Sequence, residues 1–262
     1  MELLGLILTI IKQKNGQFKM NFYAVIIGTE ILNGRREDKH FAFLRDELAK
    51  YGQELLASFI IKDDEKLMTN CYELIKNDEK AVLFSFGGIG STPDDLTREI
   101  AAKVFTSKPL FRHKMFEKDI TEKFADAAYP HRIHMSDLPQ NSNLLFNPIN
   151  NMSGFSLENK YFFVPGFPQM AHPMISEVIK TYFSKSVKRF RYTLLAKTSE
   201  NTLVSVMEKL PPQVELSSLP IFVDSKASVE LSLIGTDENE VKSCFELFTK
   251  ELKRLKIEYR LI

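Results

Sequence analysis

Three short apolar runs, each followed by a segment with helical spacing, dominate the hydrophobic pattern of this chain. The runs are 22–28 (FYAVIIG), 55–61 (LLASFII) and 81–86 (AVLFSF). Near-continuous apolar runs of this length are typical of strands that are buried on both faces of a parallel sheet. Because strand and helix patterns alternate, the sequence predicts a mostly parallel sheet covered by helices.

The segments between the runs carry the helix signals. Apolar residues recur at helical spacing over 38–51, and Gly52 marks the expected end of that helix. A further helix is predicted from Pro93 to Phe105. The helix after the second strand is expected to begin at Asp63 or Asp64 and to bury a face formed by Leu67, Cys71 and Leu74.

The second half of the chain changes character. Residues 108–129 have a helical pattern and 130–143 a loop composition, and the run 161–170 (YFFVPGFPQM) predicts another buried strand that enters a turn and a helix. Beyond the basic segment 184–191, a predicted hinge, the run SVELSLIGT alternates apolar and polar residues, as in a one-faced antiparallel sheet. We therefore expect a first domain over 20–185 and a small α+β domain over 190–262.

Composition narrows the function classes. The chain has 262 residues and a formal net charge of +1, so no overall field favours nucleic acid or an anionic membrane as a partner. Cys71 and Cys244 have neither a zinc nor a CxxC spacing, which favours buried reduced thiols and a cytoplasmic protein.

Residues 1–19 allow two interpretations. Their apolar run of roughly 10 residues is about half of what a membrane span needs, so no stable membrane insertion is expected. The segment is either an upstream artefact, with translation starting at Met20, or a short amphipathic extension.

The stretch 83–95 (LFSFGGIGSTPDD) carries the strongest candidate chemistry. Gly87, Gly88 and Gly90 permit positive φ and a close approach of backbone N–H groups to a ligand. Thr92 is the expected helix N-cap with Pro93 in the first turn, and Asp95 takes the acidic position of a capping box. Such a helix start beside a glycine loop predicts a phosphate site.

The two aspartates of this stretch leave two interpretations open. Asp94 and Asp95 would repel a bare phosphate, and they make sense if a Mg²⁺-like cation bridges them to it or if one is a general base. In the alternative, the glycines only form a turn and the aspartates only cap a helix. Glu30 and Asp63 follow neighbouring strands, and this convergence at one sheet edge favours a ligand site.

Four segments together resemble a known family. They are VIIGTEILNGR, KDDEKL, FGGIGSTPDDLTREIAAKVF and FFVPGFPQM, in this order over about residues 22–182. They are similar to the molybdopterin-binding domain shared by molybdenum-cofactor biosynthesis proteins and the competence/damage-inducible (CinA-type) proteins, most of all the CinA-type N-terminal region. The last part of the chain also resembles the small linking domain of CinA-type proteins.

The resemblance implies a three-layer α/β/α domain in a homo-oligomeric protein, with a nucleotide or pterin phosphate bound at the strand ends. By motif position it implies catalytic roles for Asp95, Asp63 and Thr97, and a divalent cation (Mg²⁺, Mn²⁺ or Co²⁺) held by Asp95 and Asp63. The implied substrate- and phosphate-binding residues are Gly28, Glu30, Gly87, Gly88, Gly90, Thr92, Asp94, Pro165 and Gly166. The sequence departs from the family at Ser91, where proline is usual, and in the element EDKH, where only Asp38 matches the usual Asp-Thr-Asn.

Three functions remain as hypotheses. The leading one is metal-dependent hydrolysis of a nucleotide pyrophosphate such as ADP-ribose. The alternatives are adenylyl transfer to molybdopterin and a non-catalytic module that binds molybdopterin or a nucleotide and regulates a partner. His131 and His134 have the i, i+3 spacing of metal ligands, but without a third ligand nearby they are interpreted as solvated loop residues.

Overall fold

The computed structural model describes residues 20–223 and 226–262, so the interpretations of segment 1–19 lie outside the described residues. The chain divides into two compact units, one that ends at Lys185 and one that spans Ser186–Ile262. Among the described residues, every helix is too short or too polar to cross a membrane.

The first unit is built on a six-stranded sheet with the order β2-β1-β3-β8-β7-β6. Its four neighbouring strands β2, β1, β3 and β8 are parallel, whereas β7 pairs antiparallel with both β8 and β6. The strands of this unit, with the separate β4–β5 ribbon, are β1 Asn21–Ile27, β2 Leu55–Ile61, β3 Ala81–Phe86, β4 Phe111–Arg112, β5 Asp137–Leu138, β6 Asn143–Leu145, β7 Gly154–Leu157 and β8 Tyr161–Val164. The mostly parallel sheet predicted from the apolar runs is confirmed.

Helices cover both faces of this sheet and make the three layers. They are α1 Thr29–Leu32, α2 His40–Ala49, α3 Glu65–Lys76, α4 Thr97–Ala101 with a π turn over Ala102–Thr106, α5 Lys114–Phe124 and α6 Pro168–Tyr182. Alternate residues of β1 enter opposite cores, since Val25 packs with α3, α4 and α5 while Ala24 packs with α2 and α6. Because both faces of β3 are covered, all six of its residues are buried.

The buried face of α3 differs from the predicted one. Asp64 caps the helix by accepting a hydrogen bond from the N–H of Leu67, 2.8 Å away. Of the three residues expected in the core only Cys71 is buried, while Leu67 is 43% and Leu74 56% exposed. The residues that do face the core are Met68, Cys71, Tyr72 and Ile75. The prediction was one position out of phase because Leu67 and Met68 are both apolar and the sequence does not choose between them.

The region 107–157 was the least well predicted. The helix expected over 108–129 is shorter, since β4 precedes α5 and a 3₁₀ turn over Ala125–Ala128 follows it. Strand β5 lies within the segment interpreted as loop, and β6 and β7 were missed. These strands have only two to four residues, too few for a period of two to be visible.

The second unit is a four-stranded antiparallel sheet with the order β10-β11-β9-β12, separate from the sheet of the first unit. Its elements are β9 Phe190–Ala196, α7 Val204–Met207, β10 Glu215–Val223, β11 Lys226–Gly235, α8 Glu238–Arg254 and β12 Tyr259–Leu261. Phe248 and Leu252 of α8 pack with Leu231 of β11 on one face of this sheet. The alternating pattern therefore gave the correct antiparallel class for this sheet.

Candidate functional site

The loop after β3, residues 87–95, is termed the glycine loop. Gly87 and Gly88 have φ values of +98° and +67°. A Cβ atom at Gly87 would lie 2.6 Å from the carbonyl oxygen of Ile27, and one at Gly88 would lie 2.3 Å from Oγ1 of Thr97. Both conformation and space therefore require glycine at these two positions.

The helix that follows begins at Thr97, and the predicted start at Pro93 was wrong. Thr92 and Pro93 lie in a bend and turn before the helix, and the actual N-cap residue, Leu96, has no side-chain cap. Neither Thr92 as N-cap nor Asp95 in a capping box is therefore observed. With only five α-helical residues, α4 also gives no support to the predicted anion site at a helix N-terminus.

Asp95 instead folds back onto the glycine loop. Its Oδ1 accepts a hydrogen bond from the N–H of Gly90 at 2.8 Å. Its Oδ2 accepts from the N–H of Thr92 at 2.8 Å and from the hydroxyl of Thr92 at 2.6 Å. These bonds occupy three of the roughly four lone-pair positions of a carboxylate, so Asp95 fixes the loop and keeps little free coordination capacity.

Thr97 fastens the other end of the loop. Its buried hydroxyl donates to the carbonyl oxygen of Gly87 at 2.9 Å, and its N–H donates to the carbonyl oxygen of Gly88 at 3.0 Å. The catalytic role that the resemblance implies for Thr97 stays a prediction, since this geometry accounts for the residue as a structural brace.

Three backbone donors of the glycine loop are left over. In the part of the chain that the structure describes, the N–H groups of Gly88, Ile89 and Ser91 make no hydrogen bond, while their neighbours Gly87 and Gly90 do. All three residues are half-buried. Because half-buried N–H groups need water or a ligand as partner, these donors are available to an anion.

Arg98 is a component of the site that the sequence interpretation missed. The residue is only 7% exposed, and its Nη1 donates to the carbonyl oxygen of Ile89 within the glycine loop. Burial lowers the pKa of Arg98, and the negative charges of Asp95 and Asp137 oppose that shift. The quoted segment LTRE contains Arg98, but an arginine in a helical pattern is usually solvated, so no local pattern indicated that Arg98 is buried.

Asp63 lies at the adjacent strand end and binds the turn after β1. Its Oδ2 accepts hydrogen bonds from the N–H of Thr29 at 3.1 Å and from the hydroxyl of Thr29 at 3.0 Å. Gly28 extends the sheet, since its N–H donates to the carbonyl oxygen of Ile61 at 3.0 Å. Glu30 is partly exposed and lies 3.9 Å from Arg35, so its carboxylate is a weakly held surface group.

The turn after β8 completes this edge of the sheet through Pro165 and Gly166. A Cβ atom at Gly166 would lie 3.3 Å from the Cα of Gly87, so this turn and the glycine loop are in contact. The carbonyl oxygen of Gly166 lies 3.2 Å from Nε2 of the buried His40, which must therefore be the protonated nitrogen. Asp38 caps α2 by accepting from the N–H groups of His40 and Phe41.

This geometry is only partly consistent with a divalent cation held by Asp95 and Asp63. In residues 20–223 and 226–262, no group of three His, Cys, Asp or Glu side chains forms a metal cluster. Nδ1 of His134 donates a hydrogen bond to Oδ2 of Asp137 at 2.8 Å, so His134 already has a carboxylate partner. Asp63 retains one carboxylate oxygen without a hydrogen bond in the described part of the chain, and Asp95 retains about one lone-pair position.

A cavity of about 290 Å³ lies elsewhere in the first unit. It is lined by Met20, Glu79, Lys80, Ala81, Val82, Asn159, Lys160 and Phe183. Ala81 and Val82 begin β3, so this cavity lies at the opposite end of that strand from the glycine loop. The sheet edge that carries the acids and glycines is therefore a different region.

The first unit is thus a three-layer α/β domain whose glycine loop and neighbouring turns meet at the carboxyl ends of β1, β2, β3 and β8, the usual ligand edge of an open parallel sheet. Residues 23–185 match the family model described as a probable molybdopterin binding domain. The chain belongs to this family, as the four quoted segments predicted.

Sequence relatives confirm the CinA-type resemblance. The chain is 27% identical over 251 residues to a CinA-like protein of Flavobacterium psychrophilum, covering 87% of this chain and 57% of that protein. It is 27% identical over 241 residues to a putative competence-damage inducible protein of Streptococcus gordonii, covering 87% of this chain and 56% of that protein. The chain therefore spans a little more than half the length of these relatives.

A solved structure shows the same fold in the first unit. The CinA protein of unknown function from Thermoplasma acidophilum superposes with a TM-score of 0.56 at 24% identity, covering 62% of this chain and 98% of that one. At this identity the likeness establishes the fold alone.

Proposed function

We propose that this protein binds the phosphate group of a pterin or nucleotide at the glycine loop. The observation that carries the proposal is the set of unpaired, half-buried N–H groups of Gly88, Ile89 and Ser91. Asp95 and Thr97 hold the loop from both sides, so these donors are oriented before a ligand arrives. Membership of a family described as a probable molybdopterin binding domain supports a phosphorylated ligand of this class.

A divalent cation is part of the proposal. Mg²⁺ and similar ions are commonly held by one or two carboxylates together with water and ligand phosphates, without a complete protein cage. The free oxygen of Asp63 and the remaining lone pair of Asp95 fit such partial coordination, with Mg²⁺, Mn²⁺ or Co²⁺ as candidates. When bound, the ion would neutralise phosphate charge and polarise the phosphorus–oxygen bond.

The proposed reaction is hydrolysis of a nucleotide pyrophosphate such as ADP-ribose. Adenylyl transfer to molybdopterin is the alternative reaction, and regulation through binding alone is the non-enzymatic alternative. The departure at EDKH supports the non-enzymatic alternative, since only Asp38 matches the Asp-Thr-Asn element that is usual in the family. Assembly as a homo-oligomer is also proposed, and light scattering of the purified chain tests it.

One panel of measurements separates these functions. The purified protein is incubated with ADP-ribose, ADP or molybdopterin plus ATP, each with Mg²⁺, Mn²⁺ or Co²⁺, and products are followed by chromatography. Release of AMP from ADP-ribose would support hydrolysis, and adenylylated molybdopterin would support transfer. Calorimetry with the same ligands detects binding without turnover. If none of these phosphorylated ligands binds, the proposal is wrong.

A further inference from the structure

Arg98 buries a positive charge beside the glycine loop without a direct counter-charge. Among the described residues, no carboxylate lies within ion-pair distance of its guanidinium, although the residue is 7% exposed. A buried charge without a partner is costly, because the protein interior replaces water poorly as a solvent for ions. Asp95, Asp137 and Glu99 attract Arg98 electrostatically without a direct ion pair. Asp95 gives its oxygens to Gly90 and Thr92, and Asp137 gives its oxygens to Arg112.

The hydrogen-bonding capacity of Arg98 is also mostly unused. A guanidinium has five N–H donors, and in the described part of the chain one hydrogen bond, to the carbonyl oxygen of Ile89, is formed. The same stretch of loop holds the unpaired N–H groups of Gly88, Ile89 and Ser91. Guanidinium N–H donors and backbone N–H donors without partners therefore occur at the same loop, and both kinds of donor favour an anion as ligand.

We propose that Arg98 is the charge-bearing ligand of the phosphate group that the glycine loop binds. This inference rests on the proposed function and names the residue that distinguishes a phosphorylated ligand from its dephosphorylated form. A guanidinium suits this task because its fork of N–H donors matches two phosphate oxygens at once. The contact to the Ile89 carbonyl fixes the guanidinium against the loop, so the side chain loses little conformational entropy on binding.

The test compares Arg98→Gln and Arg98→Lys with the wild type, using calorimetry with inorganic pyrophosphate, ADP and adenosine. Arg98→Gln is expected to weaken pyrophosphate and ADP binding at least tenfold and to leave adenosine binding unchanged. Arg98→Lys should fall between, since it keeps the charge and loses the fork. Arg45→Gln is the matched control, because Arg45 is exposed and donates to its neighbour Asp46, so its loss should not affect these ligands.

The outcomes separate this inference from the proposed function. If the wild type binds ADP and Arg98→Gln binds it equally well, the role of Arg98 is wrong and the phosphate site stands. If the wild type binds none of pyrophosphate, ADP, ADP-ribose and molybdopterin, the proposed function fails and the inference fails with it.

A second measurement covers the case in which Arg98→Gln does not fold. In the wild type, NMR follows the Nε–H signal of Arg98 and the amide signals of Gly88, Ile89 and Ser91 during titration with pyrophosphate. Joint shifts with one saturation curve are expected. Amide shifts with an unmoved Arg98 signal would overturn the inference.

Discussion

Two arginines in the first unit, Arg112 and Arg98, have different partners and different roles. Arg112 in the β4–β5 ribbon makes a bidentate pair with Asp137, with distances of 2.5 and 3.0 Å, and a further contact of 3.4 Å with Glu117. Arg98 beside the glycine loop has one carbonyl partner and no ion pair in the described part of the chain. Pairing raises the pKa of Arg112, whereas burial lowers that of Arg98.

The two arginines mark two kinds of region: one whose polar groups have partners within the protein, and one in which several donors have none in the described part of the chain. In the ribbon, charges and hydrogen bonds are satisfied within the protein, so the ribbon needs nothing more to be stable. In the glycine loop, the carboxylate of Asp95 and the hydroxyl of Thr97 are used to shape the backbone, while N–H and guanidinium donors remain unused. Such incompleteness inside an otherwise well-packed edge is what a ligand site requires.

The largest expected effect is that of Gly88→Ala on the free energy of unfolding. The new Cβ would lie 2.3 Å from Oγ1 of Thr97 at a φ of +67°. Backbone strain alone costs roughly 1–3 kcal/mol, and the collision adds to it. Gly34→Ala is the matched control, since Gly34 has a φ of +76° and nothing within 4 Å of its Cβ position. Urea unfolding of both variants measures the difference, and equal losses would contradict the steric argument.

Asp95→Asn should destabilise the loop by roughly 1–3 kcal/mol, because a neutral amide cannot accept all three hydrogen bonds and turns an NH₂ group toward a donor. The exposed neighbour provides the control, Asp94→Asn, with an expected change within about 0.5 kcal/mol. Thermal unfolding measures both. If Asp95→Asn kept the wild-type Tm but lost turnover on the order of 10²-fold, Asp95 would carry chemistry and not only loop structure.

Arg112→Gln should lower stability by about 1 kcal/mol, since its ion pair is partly exposed and screened by solvent. Pyrophosphate binding should change much less than in Arg98→Gln, because the hydrogen bonds of Arg112 go to Asp137 and Glu117. Denaturant unfolding together with calorimetry checks both halves of this expectation. A loss of pyrophosphate binding as large as that of Arg98→Gln would contradict the different roles of the two arginines.

The smallest expected effect is on stability at acid pH. It involves His40, which donates to the carbonyl oxygen of Gly166 in the turn that contacts the glycine loop. Burial lowers the pKa of His40, and that of His172 is lowered by burial and by His40. The unfolded state then binds more protons below an unfolded pKa of about 6.5, so stability is present above that pH and is lost as pH falls through the folded pKa.

The variant His40→Asn tests this linkage. It should reduce the loss of Tm between pH 7 and pH 5, two values chosen to bracket the unfolded pKa of about 6.5. The exposed His131 gives the control, His131→Asn, which should leave the slope unchanged. An unaltered slope in His40→Asn would remove His40 from the acid response.

Much of the fold could be predicted because its signals are local. The apolar runs of β1, β2 and β3 mark buried parallel strands, and the alternation in β11 marks an antiparallel sheet. The short strands β4 to β7 could not be predicted, since two to four residues show no period. Their pairing depends on partners elsewhere in the chain.

The candidate site likewise has features that the sequence predicts and features that it does not. The sequence by itself determined that glycines and acids gather at one edge of the sheet, because parallel strands place their carboxyl ends together. Only the tertiary structure decided that Asp95 accepts from its own loop instead of capping a helix, and that Arg98 is buried against Ile89. A carboxylate or guanidinium can bind several groups within reach, and the loop that closes over it in three dimensions selects among them.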